Sequence, residues 1–222
     1  PTVFSPHALN IDFGVWRPGL SRKTGPAAAG NEGDSWNAVG VPWIDDHIEF
    51  NLRSARGEWS PVEVRLINLG GGWGNSGGMG VKDPMLDGFN YPQNNQGGNS
   101  QVSLHQVPAG RYNLYIYGHG TNPVYYGDYT VIVGNRSYGR KATSREMDAV
   151  ENTEWVEGSQ YVKFTDLQVA LQEDIHIIVQ PGEWATDHSG RSFAADAMIC
   201  GLQLIPAQDD RPVYNHYRPM NE

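Results

Sequence analysis

The chain has 222 residues, a formal net charge of −9 and only 18% charged residues. That balance argues against nucleic acid and anionic membranes as partners, since both are held through clustered Lys and Arg, and no apolar run reaches the length of a membrane span. The one cysteine, Cys200, lies in the apolar run AMICGLQLIP; it excludes an intrachain disulfide and reads as a small buried side chain.

In chain order, ALNIDFGV (8–15) reads as the first strand. HIEFNLRS (47–54) alternates, which puts Ile48, Phe50 and Leu52 on a core face and Glu49, Asn51 and Arg53 on the other. VEVRLINL (62–69) aligns Val62, Val64 and Leu66; SQVSLHQV (100–107) aligns Val102 and Leu104. After a tight turn at 108–110, RYNLYIYGHG (111–120) aligns Tyr112, Leu114 and Ile116. DYTVIVGNRSYG (128–139) reads as a hairpin around an asparagine- and glycine-bearing turn. YVKFTDLQVAL (161–171), IHIIVQPG (175–182) and AMICGLQLIP (197–206) close the set. TSREMDAVENTEW (143–155) lacks the apolar stripe a helix needs.

About nine strands in a chain of this size predict an all-β fold: an antiparallel two-sheet β-sandwich of jelly-roll type. Residues 1–206 form its single domain. The polar tail 207–222 is expected to pack on its own domain or on a neighbour. Two long aromatic-bearing stretches do not fit strands. One, 16–43, carries Trp16, Trp36 and Trp43; the other, 70–99, carries Trp73, Phe89 and Tyr91. Loops of this length are usually functional or interface-forming. The second opens with GGGWGNSGGMG (70–80), which has no Lys-Ser/Thr pair after its glycines and so no P-loop form. Its glycines permit close backbone approach. Trp73 is expected to anchor this loop on the sandwich or on a neighbour; the alternative is an exposed Trp73 that stacks on a ligand.

The order of segments resembles the galactose-binding-like β-sandwiches, the group that includes malectin-like domains and many carbohydrate-binding modules. LNIDFG (9–14) is followed by KTGPAAAG (23–30) and DSWN (34–37), then by LHQVPAGRYNLYIYGHG (104–120), YTVIVG (129–134), YVKF (161–164), IHIIVQPG (175–182) and AMICGLQL (197–204). Most similar are the secreted sandwich modules of large bacterial surface proteins. The resemblance reaches to about Pro206 and implies an exported protein, extracellular or at the cell surface, with the periplasm as an alternative. It implies a fold that hosts glycan binding, protein contacts or scaffolding. It also implies that a structural calcium is possible. The loop acids of suitable type are Asp34, Asp83, Asp87, Asp128 and Asp187, without EF-hand spacing.

The residues offer little for catalysis. EGDSWN contains Ser35 in a GDS block and ATDHSG supplies an Asp and a His, but a nucleophilic serine needs a strand-to-helix turn that is missing here. The acid clusters Asp45–Asp46, Asp83 with Asp87, and Asp209–Asp210 fall in turns, where Asp is common. The seven histidines show neither HxH nor HExxH spacing.

Sugars combine apolar C–H faces with directional hydroxyls, so aromatic platforms beside hydrogen-bonding side chains suit them. On RYNLYIYGHG the face opposite the core carries Asn113, Tyr115, Tyr117 and His119, about 7 Å apart along the strand. Tyr125, Tyr126, Trp184 and Trp73 add loop aromatics. The competing reading is that a long loop covers this stripe and hydrogen-bonds its hydroxyls. The expectation is therefore a non-enzymatic binding module for glycan or a surface protein partner. The alternative is a structural subunit of a filament, surface layer or larger complex, a homo-oligomer included, assembled through its long loops and termini.

Overall fold

The computed structural model describes residues 7–15, 23–74, 83–92, 100–120, 125–144, 154–180, 184–186, 192–194 and 196–207, with backbone alone at 15, 74, 184–186, 192–194 and 196. The tail beyond Ala207 lies outside the described residues, as do Asp187 and the Asp209–Asp210 pair. The strands, in chain order, are β1 (Leu9–Val15), β2 (Asn37–Gly40), β3 (Asp46–Glu49), β4 (Glu63–Ile67), β5 (Gly71–Gly74), β6 (Gly88–Tyr91), β7 (Ser100–His105), β8 (Gly110–Tyr117) and β9 (Tyr125–Tyr126). They continue with β10 (Asp128–Val133), β11 (Arg136–Ala142), β12 (Tyr161–Val169), β13 (Ile175–Gln180), β14 (Trp184–Thr186), β15 (Ser192–Ala194), β16 (Asp196–Ala197) and β17 (Gly201–Pro206). A 3-10 turn, Pro84–Asp87, precedes β6. Among the described residues no helix is long and apolar enough to cross a membrane.

Two sheets form the sandwich. One has the order β12-β8-β17-β1-β2, the other β11-β10-β13-β7-β4-β3. The chain crosses between them at β2 to β3, β7 to β8, β8 to β10, β11 to β12, β12 to β13 and β13 to β17, the alternation expected of a jelly roll. Within these two sheets the antiparallel expectation holds except at one edge, where β2 runs parallel to β1; the small β16–β9 pair beside them is parallel too. The main core lies between the sheets and takes the residues that period-two alternation assigns to it: Leu9, Ile11 and Phe13 from β1, Val64 and Leu66 from β4, Val102 and Leu104 from β7, and Tyr112, Leu114 and Ile116 from β8. Each such aliphatic side chain contributes roughly 1.5–3 kcal/mol by leaving water.

HIEFNLRS departs from its expected face. Ile48 and Phe50 are exposed and only Leu52 is buried. Ile48 pairs with Arg65, which lies between the buried Val64 and Leu66 and therefore on the outer face of its sheet. Register, with its period of two, assigns Ile48 to that outer face as well. Asn51 then turns through φ +63° and ends the strand, a conformation that Asn tolerates better than most residues. The alternation was real, but the turn broke it before it reached Leu52.

Candidate functional site: an aromatic surface over a second core

The outer face of the β12-β8-β17-β1-β2 sheet carries its own hydrophobic cluster: Trp36, Met85, Leu86, Phe89, Tyr117, Met198 and Cys200. Tyr117, placed by sequence among the ligand contacts, is its centre and is fully buried. Its ring meets Trp36, Trp155 and Tyr161 at centroid distances of 6.4, 5.2 and 5.7 Å. Its hydroxyl donates to Gln203 Oε1 at 2.5 Å and accepts from the Ala28 amide at 3.0 Å. The Gln203 amide donates in turn to Asn10 Oδ1 and to the Ala29 carbonyl. The segment KTGPAAAG is thus a cover, hydrogen-bonded to the sheet it lies on. Covering by a long loop, the competing reading of the tyrosine stripe, is what this structure has at Tyr117.

The cover is held at a second point. Lys23 Nζ donates to Asp83 Oδ2 at 2.6 Å and to the Pro26 carbonyl, with both charged side chains nearly buried. Asp83 also accepts from the Met85 amide and so caps the 3-10 turn. This ion pair joins the two long stretches that the sequence presents as separate loops. Trp36 adds a bond from its indole N–H to the Gly25 carbonyl. Ser35 sits in a short bridge with Thr24, its amide bonded to the Ala55 carbonyl; Asp34 accepts from the Asn31 amide, a turn role.

His119 and Tyr126 are corrections of the same kind as Tyr117. They pair with each other in an isolated bridge and are 1% and 4% exposed, out of reach of a ligand. Tyr115 keeps partial exposure, lying 5.9 Å from Tyr161 with Lys163 Nζ over its ring. Trp184 is on β14, paired with Ala194; its side chain lies outside the described residues.

Tyr125 and Trp73, far apart in sequence, come together through Phe89. The stretch GGWG is a strand: β5 pairs with β6, and Trp73 stands opposite Phe89. Phe89 is buried, and its ring lies 5.3 Å from that of Tyr125 and 6.1 Å from that of Tyr91, both partly buried. Trp73, expected to anchor this segment, is 55% exposed. The glycines do the anchoring instead. A side chain at Gly70 would strike the Ile44 backbone, and one at Gly72 would strike Val41. Neighbours along a strand face opposite ways, so the contact of Gly72 with Val41 turns Trp73 to the other face. The ribbon is fixed further by Asn90, whose backbone pairs with Ile199 and whose side chain bonds the Leu69 carbonyl and the Gly14 amide. Gly14, at φ +73°, is packed so closely on Phe89 that no Cβ fits there, which accounts for the glycine of LNIDFG. Beside this ribbon, β16 pairs with β9 and sets Asp196 opposite Tyr125. Residues 71–74, 88–91, 119–120, 125–126 and 196–199 therefore lie together.

Several of the acids considered for calcium are engaged by the protein itself: Asp83 by Lys23, and Asp128 by both nitrogens of an Arg140 fork at 2.8 and 2.6 Å. Among the described residues no three His, Cys, Asp or Glu side chains converge in a way suited to a metal ion.

Burial also shapes the proton chemistry. It pushes the Cys200 thiol from its usual 9 to about 12, pushes the Tyr112 phenol from 10 to about 12, and carries Tyr117 and Tyr129 well above 10. The unfolded chain releases these protons at lower pH than the folded one. Their contribution to stability is fully present below pH 9 and is lost as pH rises toward 12. The melting temperature is therefore expected to fall across that window, with Cys200 resisting alkylation until the chain unfolds. A flat melting temperature, or a thiol that reacts in the folded state, contradicts this.

No protein-family model matches this chain. No curated protein matches it either. Among solved structures it is similar to the CBM36-1 domain of a multidomain xylanase from the hindgut metagenome of Trinervitermes trinervoides, at 16% identity over 50% of this chain and 75% of that domain, with a TM-score of 0.31. A likeness that loose assigns no role, and the sandwich architecture rests on the strand pairing itself.

Proposed function

We propose that the chain is a non-enzymatic binding module that recognises glycan, outside the cell or at its surface. The observation that carries this reading is Trp73: half-exposed, on a ribbon pinned by Asn90, and opposite a buried Phe89 that packs against Tyr125 and Tyr91. A large aromatic face kept in water by a rigid backbone costs stability unless something covers it, and exposed apolar surface of this kind marks binding. Planar indole and phenol faces suit the C–H faces of sugar rings. The partly buried tyrosines beside it keep hydroxyls for hydrogen bonds.

The test is retention on insoluble cellulose, chitin and xylan, with affinity electrophoresis in soluble mannan, galactan and mixed-linkage glucan. At least one should retain the protein and change its tryptophan fluorescence. Trp73→Ala should weaken that binding by about tenfold or more while leaving stability within about 0.5 kcal/mol, as for other surface substitutions. Absence of retention across the panel, or full retention by Trp73→Ala, rejects the proposal.

A further inference from the structure

Apart from Trp73, exposed large apolar side chains are concentrated in one short segment, whose first residues adjoin the ribbon at Gly70. Trp43, Ile44, Ile48 and Phe50 fall within eight residues, and each is 45 to 60% exposed. They lie on and beside β3, the end strand of the β11-β10-β13-β7-β4-β3 sheet. β3 pairs with β4 on one side and, among the described residues, has no strand on the other; an edge of this kind can take a further strand.

The other three margins are guarded. β11 exposes Arg136, Arg140 and Lys141. β12 shifts register between Phe164 and Leu167, with Asp166 at φ +58°. β2 is four residues long, runs parallel to its neighbour and ends in buried Val39 and Gly40. Charges and bulges of this kind prevent unwanted strand addition, whereas exposed apolar side chains on an edge invite it.

We propose that β3 pairs antiparallel with β3 of a second copy of this chain, about a two-fold axis through Ile48, joining two six-stranded sheets into one. The charge pattern selects this occupant. Ile48 would stand opposite Ile48 of the partner subunit, His47 opposite Glu49 of the partner subunit, and Phe50 opposite Asp46 of the partner subunit. Each subunit supplies both halves of the His–Glu match, and no like charges face one another. Within one subunit His47 and Glu49 already lie 3.1 Å apart, so the same two side chains can exchange partners across the axis. A generic apolar strand meets an inward-facing charged pair here, while the chain's own copy meets its complement. The Asp46–Arg65 pair, at 2.5 Å, flanks Ile48 and leaves the apolar contact central. A two-fold contact of this kind uses the same patch twice and closes on itself, giving a dimer and not a fibre.

The experiment uses cysteine cross-linking, for which the chain is suited because its native Cys200 is fully buried. Under mild oxidation Ile48→Cys should give a covalent dimer. Leu171→Cys, exposed on a turn between β12 and β13, should give none at the same concentration. In sedimentation equilibrium the wild type should dimerise, and Phe50→Asp should weaken the dimer by about tenfold or more, with the two melting temperatures equal at dilutions where both are monomeric. A wild type that stays monomeric at every concentration, or Ile48→Cys and Leu171→Cys cross-linking alike, overturns the proposal. Glycan retention by the monomeric Phe50→Asp variant separates this outcome from the binding proposal, because Trp73 is untouched.

Discussion

Replacing Asp83 with alanine is expected to destabilise the fold by about 3–5 kcal/mol, the range seen when one partner of a buried ion pair is removed. Lys23 and Asp83 are nearly buried, 2.6 Å apart, and Lys23 also lies 5.5 Å above the Trp36 ring. Alanine would take from the nearly buried ammonium the carboxylate that lies 2.6 Å away. It would also remove the acceptor for the Met85 amide that caps the 3-10 turn, a loss of about 1 kcal/mol at comparable caps. Urea denaturation read by tryptophan fluorescence measures the loss. The pair Lys23→Met with Asp83→Leu should recover most of it, since apolar replacements of similar volume do as well as many buried ion pairs. A loss below about 1 kcal/mol for Asp83→Ala would put the pair in the class of hydrated surface bridges. The two long stretches would then be held by Tyr117 and its hydrogen bonds instead.

Phe89→Ala should cost a similar 3–5 kcal/mol, as other large-to-small changes at buried aromatic positions do. Its larger consequence is functional. Phe89 is where the ribbon bearing Trp73 meets Tyr125 and Tyr91, so a void there removes the support that orients the exposed aromatics. Phe89→Leu keeps most of the apolar volume and gives up the ring–ring contacts, each worth about 0.5–1.5 kcal/mol. The leucine variant should fold and still bind glycan more weakly than wild type. Equal binding by a folded Phe89→Leu would show that Trp73 acts alone, without the neighbouring rings.

The strands of the two sheets were legible because period-two alternation records which face of a strand meets the core. Val62, Val64 and Leu66, or Tyr112, Leu114 and Ile116, are buried as the pattern requires. The pattern is silent about whether a sheet's other face is wet. On β8 it correctly set Tyr115 and Tyr117 opposite the core and suggested a ligand surface. Tyr117 instead lies under KTGPAAAG because Gln203 and Ala28, both about 90 positions away, complete its hydrogen bonds, with the Gln203 amide donating in turn to Asn10. The glycine run misled in the reverse direction. It looks like a flexible loop that a tryptophan must hold down, yet Gly70 and Gly72 are there because Ile44 and Val41 leave no room for side chains.

Length, charge and alternation by themselves determined an all-β sandwich with a core of known composition and two aromatic-rich excursions, since each is a property of local sequence. Only the tertiary structure decided which aromatics stay in water. Exposure depends on partners 60 to 90 positions away: Lys23 for Asp83, Ala28 for Tyr117 and Asn90 for Gly14. It took that closure to move Tyr117, His119 and Tyr126 inside and to leave Trp73 and the β3 edge at the surface.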